Sequence, residues 1–207
     1  MLNVGLTGGI ASGKSTVARM LVEKGAILID FDELAHALEM PGEPVWQEIV
    51  DHFGEGILQP DRQIDRQKLG EVVFSDPRER EVLNRLVHPA VFAAWQERLR
   101  EIEKSGKDAI VLSDIPLLIE AGFEPMVDVV LLVYISPEEQ IGRLMGRNGL
   151  TREDAEKRVA SQMPIGEKVG RADIVIRNEG PPAETAPVVD RAWEELCRRR
   201  AAKHDGR

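Results

Sequence analysis

Gly8-Gly9-Ile10-Ala11-Ser12-Gly13-Lys14-Ser15, a G-x-x-x-x-G-K-S run, governs how the rest of the chain is read. It follows a short apolar stretch, Leu2-Asn3-Val4-Gly5-Leu6. It leads into a helical pattern with Val17, Ala18, Leu21 and Val22 on one face and Gly25 as the stop. Strand, glycine-rich loop and helix in that order make a phosphate-binding loop. Gly8 and Gly13 let the backbone turn successive N–H groups toward phosphate oxygens. The helix opening near Lys14 aims its positive dipole end at the same place. Lys14 reaches the β- and γ-phosphates, and the Ser15 hydroxyl is placed to ligate Mg²⁺. Gly9, Ile10, Ala11, Ser12 and Thr16 complete the residues expected around the nucleotide. The run predicts binding of a nucleoside triphosphate.

A chain of 207 residues is long enough for one sizeable α/β core with a smaller inserted subdomain. Its 43% hydrophobic and 30% charged residues place it among ordinary soluble globular proteins. No stretch approaches the apolar length of a membrane span, and the N-terminal residues lack the pattern of a signal peptide. The single cysteine, Cys197, cannot form an internal disulfide, which fits a reducing cytosol and a cytoplasmic protein. A net charge of −9 argues against a nucleic-acid partner, though not against phosphorylated substrates held by a few local cations. Arg198-Arg199-Arg200 and Lys203 read as the solvated basic end of a helix.

Continuously apolar runs at residues 2–6, Ala26–Ile29, Ala109–Leu112, Val129–Tyr134 and Asp173–Ile176 predict buried parallel strands. Helical patterns follow most of them, so the expected fold is an α/β doubly wound five-stranded parallel sheet in a single domain over 1–207. A C-terminal helix is expected over 182–203. The connection over 33–108 is far longer than a crossover requires. It carries helical stretches at Val45–Phe53, Gln67–Phe74 and Arg78–Ser105, the last with a kink or boundary expected at His88-Pro89. Ligands bind at strand carboxyl ends, so this insertion is expected to be a helical acceptor-binding subdomain. A second special segment spans 136–162. Ser136-Pro137-Glu138-Glu139 opens one helix, Asn148-Gly149 closes it, and Thr151 opens another. Gln140, Arg143 and Arg147 share one face, so the pair is expected to form a lid over phosphates.

GTPases need a base-reading Asn-Lys-x-Asp, and no Asn-Lys pair exists in the chain. Asp51-His52-Phe53-Gly54 matches D-x-x-G but lies in a helical pattern, so it is expected to be a chance match. A small-molecule kinase fits the length, the insertion and the lid. Its acceptor hydroxyl needs a group to receive or orient it. Ile29-Asp30-Phe31-Asp32 places two carboxylates at i and i+2 where a strand ends, one side if extended geometry persists. Asp32 also suits a helix N-cap; the expected split is Asp32 functional, Asp30 supporting. Asp114, ending Leu112-Ser113-Asp114, either holds Mg²⁺ through water or caps the turn before Pro116.

Taken together, these segments resemble the dephospho-coenzyme A kinase family. The resemblance runs through Leu6-Thr7 and the loop, Ile29-Asp30-Phe31-Asp32, Phe53-Gly54-Glu55-Gly56-Ile57-Leu58, Ile64-Asp65-Arg66 with Lys68-Leu69, and His88-Pro89. It continues in Asp114-Ile115-Pro116-Leu117-Leu118-Ile119-Glu120, Gln140 with Arg143 and Arg147, and Ala160-Ser161-Gln162-Met163-Pro164. Lys168, Ala172-Asp173 and Asn178 close it. The resemblance implies a P-loop kinase fold and transfer of the ATP γ-phosphoryl group, with Mg²⁺, to the ribose 3′-hydroxyl of dephospho-coenzyme A. It implies that Asp32 acts on that hydroxyl and that Arg143 neutralises the phosphoryl group in transfer. By the same resemblance Arg147 and Asn178 lie near the nucleotide, and Pro116, Leu117, Leu118 and Glu120 border the acceptor. Thr7 supports Asp32. Ala11 stands where the family commonly has glycine, Phe31 where it has alanine, and His36, an acceptor-contact position, where arginine is frequent. Other readings are a cytidylate-type kinase with a different acceptor and a non-catalytic ATP-binding switch.

Overall fold

The computed structural model describes residues 1–205 and resolves the chain into two compact units, Met1–Ile29 with Gly106–Arg207, and Asp30–Ser105. In chain order the elements are β1 (Leu2–Gly8), α1 (Lys14–Glu23), β2 (Ile27–Asp30), α2 (Phe31–Leu38), α3 (Pro44–Phe53), α4 (Arg66–Ser75) and α5 (Pro77–Lys104). There follow β3 (Ile110–Asp114), β4 (Val129–Tyr134), α6 (Pro137–Asn148), α7 (Arg152–Ala160), α8 (Ile165–Val169), β5 (Ile174–Arg177) and α9 (Pro182–Asp205).

The first unit is an α/β sheet of five parallel strands, as the apolar runs predict, in the order β2-β3-β1-β4-β5. Alternate residues of β1 divide its two faces. Leu2, Val4 and Leu6 pack with Ile110 and Leu112 of β3 and Val129, Leu131 and Val133 of β4, under Val17, Ala18 and Leu21 of α1 and Val189, Ala192 and Leu196 of α9. Fully burying each of the Val, Leu and Ile side chains contributes about 1.5–3 kcal/mol. The pairing register sets Leu6 opposite Asp114 and Gly8 opposite Val133. Asp114 therefore ends its strand beside the residues that open the loop. Asn3, unusual in a central strand, is buried and satisfied: its Nδ2 donates to the Met126 carbonyl (3.3 Å) and its Oδ1 accepts from Ser113 Oγ (2.7 Å). The basic end of α9 is pinned by ion pairs, Arg200 to Asp108 (3.4 Å) and Lys203 to Asp128 (2.5 Å), rather than only solvated.

The second unit is helical. Asp65 and Asp76 cap α4 and α5 by accepting from the Lys68 and Arg78 backbone N–H groups (3.2 and 2.8 Å). Phe31 is buried with the rings of Phe92 (5.8 Å between centroids) and Trp95 (5.5 Å), which explains an aromatic residue between two aspartates. Of the kink or boundary expected at His88-Pro89, the boundary does not form: α5 runs unbroken through Pro89. Proline forfeits one backbone hydrogen bond, but buried Val87, Val91 and Trp95 on either side hold the helix. The D-x-x-G match at Asp51–Gly54 lies at the end of α3, in helix, as expected of a chance match. Among the described residues no helix is long and apolar enough to cross a membrane.

Candidate active site

The loop between β1 and α1 is held open by its own backbone and by side chains from later in the chain. Gly13 caps α1 in the left-handed conformation (φ 82°), with no side chain on the cap. The first N–H groups of a helix have no intrahelical acceptor, so those of Lys14 and Ser15 are left to a ligand. Ser15 is exposed and Ser12 buried. Lys14 Nζ forms an ion pair with the buried Asp114 carboxylate. Asp114 is thus a partner of the loop lysine and not merely a turn cap. Ser15 and Asp114 offer the hard oxygen donors that suit Mg²⁺. Among the described residues no group of three His, Cys, Asp or Glu side chains could hold a metal by itself.

Asn178, expected near the nucleotide, is buried behind the loop. Its Nδ2 donates to the Ser12 carbonyl (2.8 Å), and its Oδ1 accepts from the Thr185 hydroxyl (2.5 Å). Both ends of its carboxamide are engaged, so it fixes the loop backbone instead of facing a ligand. A methyl group at residue 13 would overlap Asn178 Nδ2 at a φ that already disfavours it. Gly13→Ala is expected to cost about 1–3 kcal/mol of local strain. Calorimetric titration should show ATP affinity falling at least about tenfold.

Ile10 is gripped on both sides of its backbone. Its N–H donates to Gln162 Oε1 (2.8 Å), and its carbonyl accepts from Gln140 Nε2 (2.8 Å). Gln140 is 2% exposed, so it does not share the open arginine face that its spacing suggests. Ala11 follows with φ 59°, a left-handed conformation that costs a residue with a Cβ about 1–2 kcal/mol. Ile10 and Ala11 pack against a small core of Ile141 and Leu144 from α6 and Ala155 from α7. That contact gives Ala11 a use for its methyl group.

α6 begins as its sequence dictates, with Ser136 Oγ accepting from the Glu139 N–H (3.2 Å), and ends on Gly149 in the left-handed conformation. Thr151 caps α7 by accepting from the Asp154 N–H (3.1 Å). Arg143 Nε donates to Glu139 Oε1 (3.1 Å) and its Nη2 to the Asn178 carbonyl (2.6 Å). Its Nη1 lies 3.5 Å from where a Cβ on residue 13 would stand, which sets the guanidinium against the loop. Arg147, one turn on, is exposed and bonds only locally, Nε to Asn148 Oδ1 (3.1 Å).

The segment after β3 is a turn. Thr7, expected to support Asp32, is fully buried, and its hydroxyl donates to the Pro116 carbonyl (3.0 Å). Leu118 is fully buried and packs against Gly5. Thr7 thus bonds the turn and not Asp32, and Leu118, sealed against Gly5, holds the turn onto β1 rather than bordering the acceptor as expected. Pro116 is half-buried and Leu117 is exposed, so they remain accessible. Glu120 forms an ion pair with Lys168, whose side chain is fully buried in α8. A lysine on a short helix carries no sign of burial in the sequence, so this partner is visible only in the fold.

In the helical unit the two aspartates divide their work. Asp30, not Asp32, caps α2, its Oδ1 accepting from the Asp32 and Glu33 N–H groups (2.8 and 3.3 Å). Extended geometry ends at Asp30, because α2 starts at Phe31; the side-by-side i and i+2 carboxylates are therefore not present. Asp32 sits exposed in the first turn with its carboxylate outside the cap. His36 is exposed, its Nδ1 accepting from Arg66 Nη2 (3.1 Å), which also bonds Glu39 Oε2 (2.9 Å). Burial raises the Glu39 carboxyl above the usual carboxylate range, with Arg66 and His36 opposing that shift.

Known proteins bear on this site. A family model described as dephospho-CoA kinase matches residues 2–184. A dephospho-CoA kinase of Syntrophus aciditrophicus is 55% identical over 199 residues, 96% of this chain and 85% of that protein. The crystal structure of TT1252 from Thermus thermophilus superposes with a TM-score of 0.75 at 35% identity, over 96% of this chain and 97% of that one. Dephospho-CoA kinase from Campylobacter jejuni gives 0.70 at 30% identity, over 94% and 96%. With its uncapped phosphate loop, its loop lysine and its arginine beside Gly13, the chain belongs to the dephospho-CoA kinase family.

Proposed function

We propose that this chain transfers the γ-phosphoryl group of ATP to the ribose 3′-hydroxyl of dephospho-coenzyme A, with Lys14 and Arg143 on the donor side and Asp32 on the acceptor side. ATP-dependent phosphorylation of dephospho-coenzyme A, in coenzyme A synthesis, is the activity of its family. The observation that carries the donor assignment is the uncapped start of α1 with the Arg143 guanidinium set against Gly13. Phosphoryl transfer asks the protein mainly for positioning and charge stabilisation, because the transition state is loose.

Lys14 exchanges Asp114 for the β- and γ-phosphate oxygens when ATP arrives, which frees the Asp114 carboxylate. The Ser15 hydroxyl, and Asp114 through water, would hold Mg²⁺. A bound ion would neutralise charge on the phosphate oxygens. Arg143 neutralises charge on the transferring group, and Asp32 orients the attacking hydroxyl and accepts its proton. Arg147 joins the phosphates when the helix pair over 136–162 acts as a lid, and His36, Leu117 and Pro116 border the acceptor. The insertion over 33–108 is the acceptor subdomain. The reading is of a cytoplasmic enzyme whose partner is a small molecule, not a nucleic acid.

A coupled assay of ADP release against dephospho-coenzyme A, CMP, UMP and shikimate tests the acceptor. Turnover with dephospho-coenzyme A at least about 100-fold above the others is expected, since a site built to pair a polar substrate rejects those lacking it. Release driven by CMP alone would replace this reading with a nucleotide kinase.

A further inference from the structure

We propose that Gln140 and Gln162 are positioning residues that hold the phosphate loop in its nucleotide-binding shape by forcing Ala11 into its left-handed conformation. The inference rests on the loop's role as the ATP site and concerns how that site is built.

The two glutamines come from different elements, Gln140 from α6 and Gln162 from the turn after α7. They converge on one residue, taking the N–H and the carbonyl of Ile10. With both backbone groups of Ile10 committed, the peptide entering Ala11 has a fixed orientation. Ala11 then takes φ 59°, where glycine is at ease and alanine is not. The Gly9 position shows the same closeness, since a methyl group there would overlap Gln140 Nε2. The loop's other end is tied independently, through Asn178 to the Ser12 carbonyl.

The same clamp registers the arginine. Gln140 and Arg143 lie one turn apart on α6, the first bonded to Ile10 and the second to the Asn178 carbonyl. Loop, Arg143 and Asn178 thus form one closed set of hydrogen bonds. Without the clamp, Ala11 relaxes toward a right-handed or extended conformation, and the loop spends only part of its time able to bind. Apparent affinity falls by that fraction.

The test is a double-mutant cycle read by calorimetric ATP titration of the intact chain. Gln162→Met keeps length and packing but cannot accept from the Ile10 N–H. It is expected to raise the ATP Kd about tenfold in the Ala11 background. In the Ala11→Gly background the same change is expected to cost no more than about twofold, because glycine needs no clamp to stay left-handed. A packing role alone predicts the same loss in both backgrounds, and that result overturns the proposal. So does wild-type affinity in Gln162→Met. If Gln162→Met fails to fold, as thermal melting reports, Gln140→Met takes its place with the same two outcomes. ATP binding is read without any acceptor, so failure here leaves the acceptor assay unaffected, and the reverse holds too.

Discussion

Arg143→Ala is expected to lower kcat about 1,000-fold while the ATP Kd changes by no more than about threefold, at the lower end of what a transition-state arginine contributes. Arg143 is already bonded to Glu139 and to the Asn178 carbonyl within the chain, and its side chain is 28% exposed. It therefore adds little to ATP binding as it stands. Its five donors in a planar fork match phosphoryl oxygens as charge develops on them. Arg143→Lys keeps the charge but not the fork and should recover only a small part of the loss. Pre-steady-state quench flow, with ATP binding followed separately, checks the split. A kcat within tenfold of wild type for Arg143→Ala would remove the residue from the transition state.

Asp32→Asn should lower kcat by about 100- to 10,000-fold, the range for losing a positioned acid–base group, again with near-normal ATP affinity. Asparagine matches the shape but neither accepts a proton at neutral pH nor aligns a hydroxyl through a charged hydrogen bond. The structure supplies an internal control. Because Asp30 and not Asp32 caps α2, Asp32→Asn should leave thermal stability within about 0.5 kcal/mol. Asp30→Ala should instead cost about 1 kcal/mol of stability through the lost cap. Steady-state kinetics and melting curves on the two variants separate the roles. Equal losses of turnover in both, tracking stability, would contradict the assignment to Asp32.

The parts of this molecule legible in the sequence are those decided locally. The G-x-x-x-x-G-K-S loop, the apolar strands and the caps at Ser136 and Thr151 depend on neighbours within a few residues, and each forms where its pattern predicts. Residues whose partners lie far along the chain are not legible locally. Gln140 and Gln162 meet Ile10 across 130 and 152 residues, and Thr7 meets Pro116 across 109. A threonine beside a phosphate loop looks available until its buried acceptor is known. The Asp30 and Asp32 question turns on Phe31, whose ring belongs to a cluster with Phe92 and Trp95, and the helix starts two residues earlier than a cap at Asp32 would set it. At Pro89 the intrinsic preference to break was overridden by packing along both flanks. Family resemblance supplied the acceptor, which no local pattern encodes.

Direct identification of the product by ³¹P NMR, after incubation of the chain with ATP, Mg²⁺ and dephospho-coenzyme A, reads the central claim. The account predicts a new phosphomonoester resonance on the ribose 3′-oxygen, appearing in equal amount with ADP. ADP accompanied only by inorganic phosphate, or a phosphoryl group at any other oxygen of the acceptor, would contradict it.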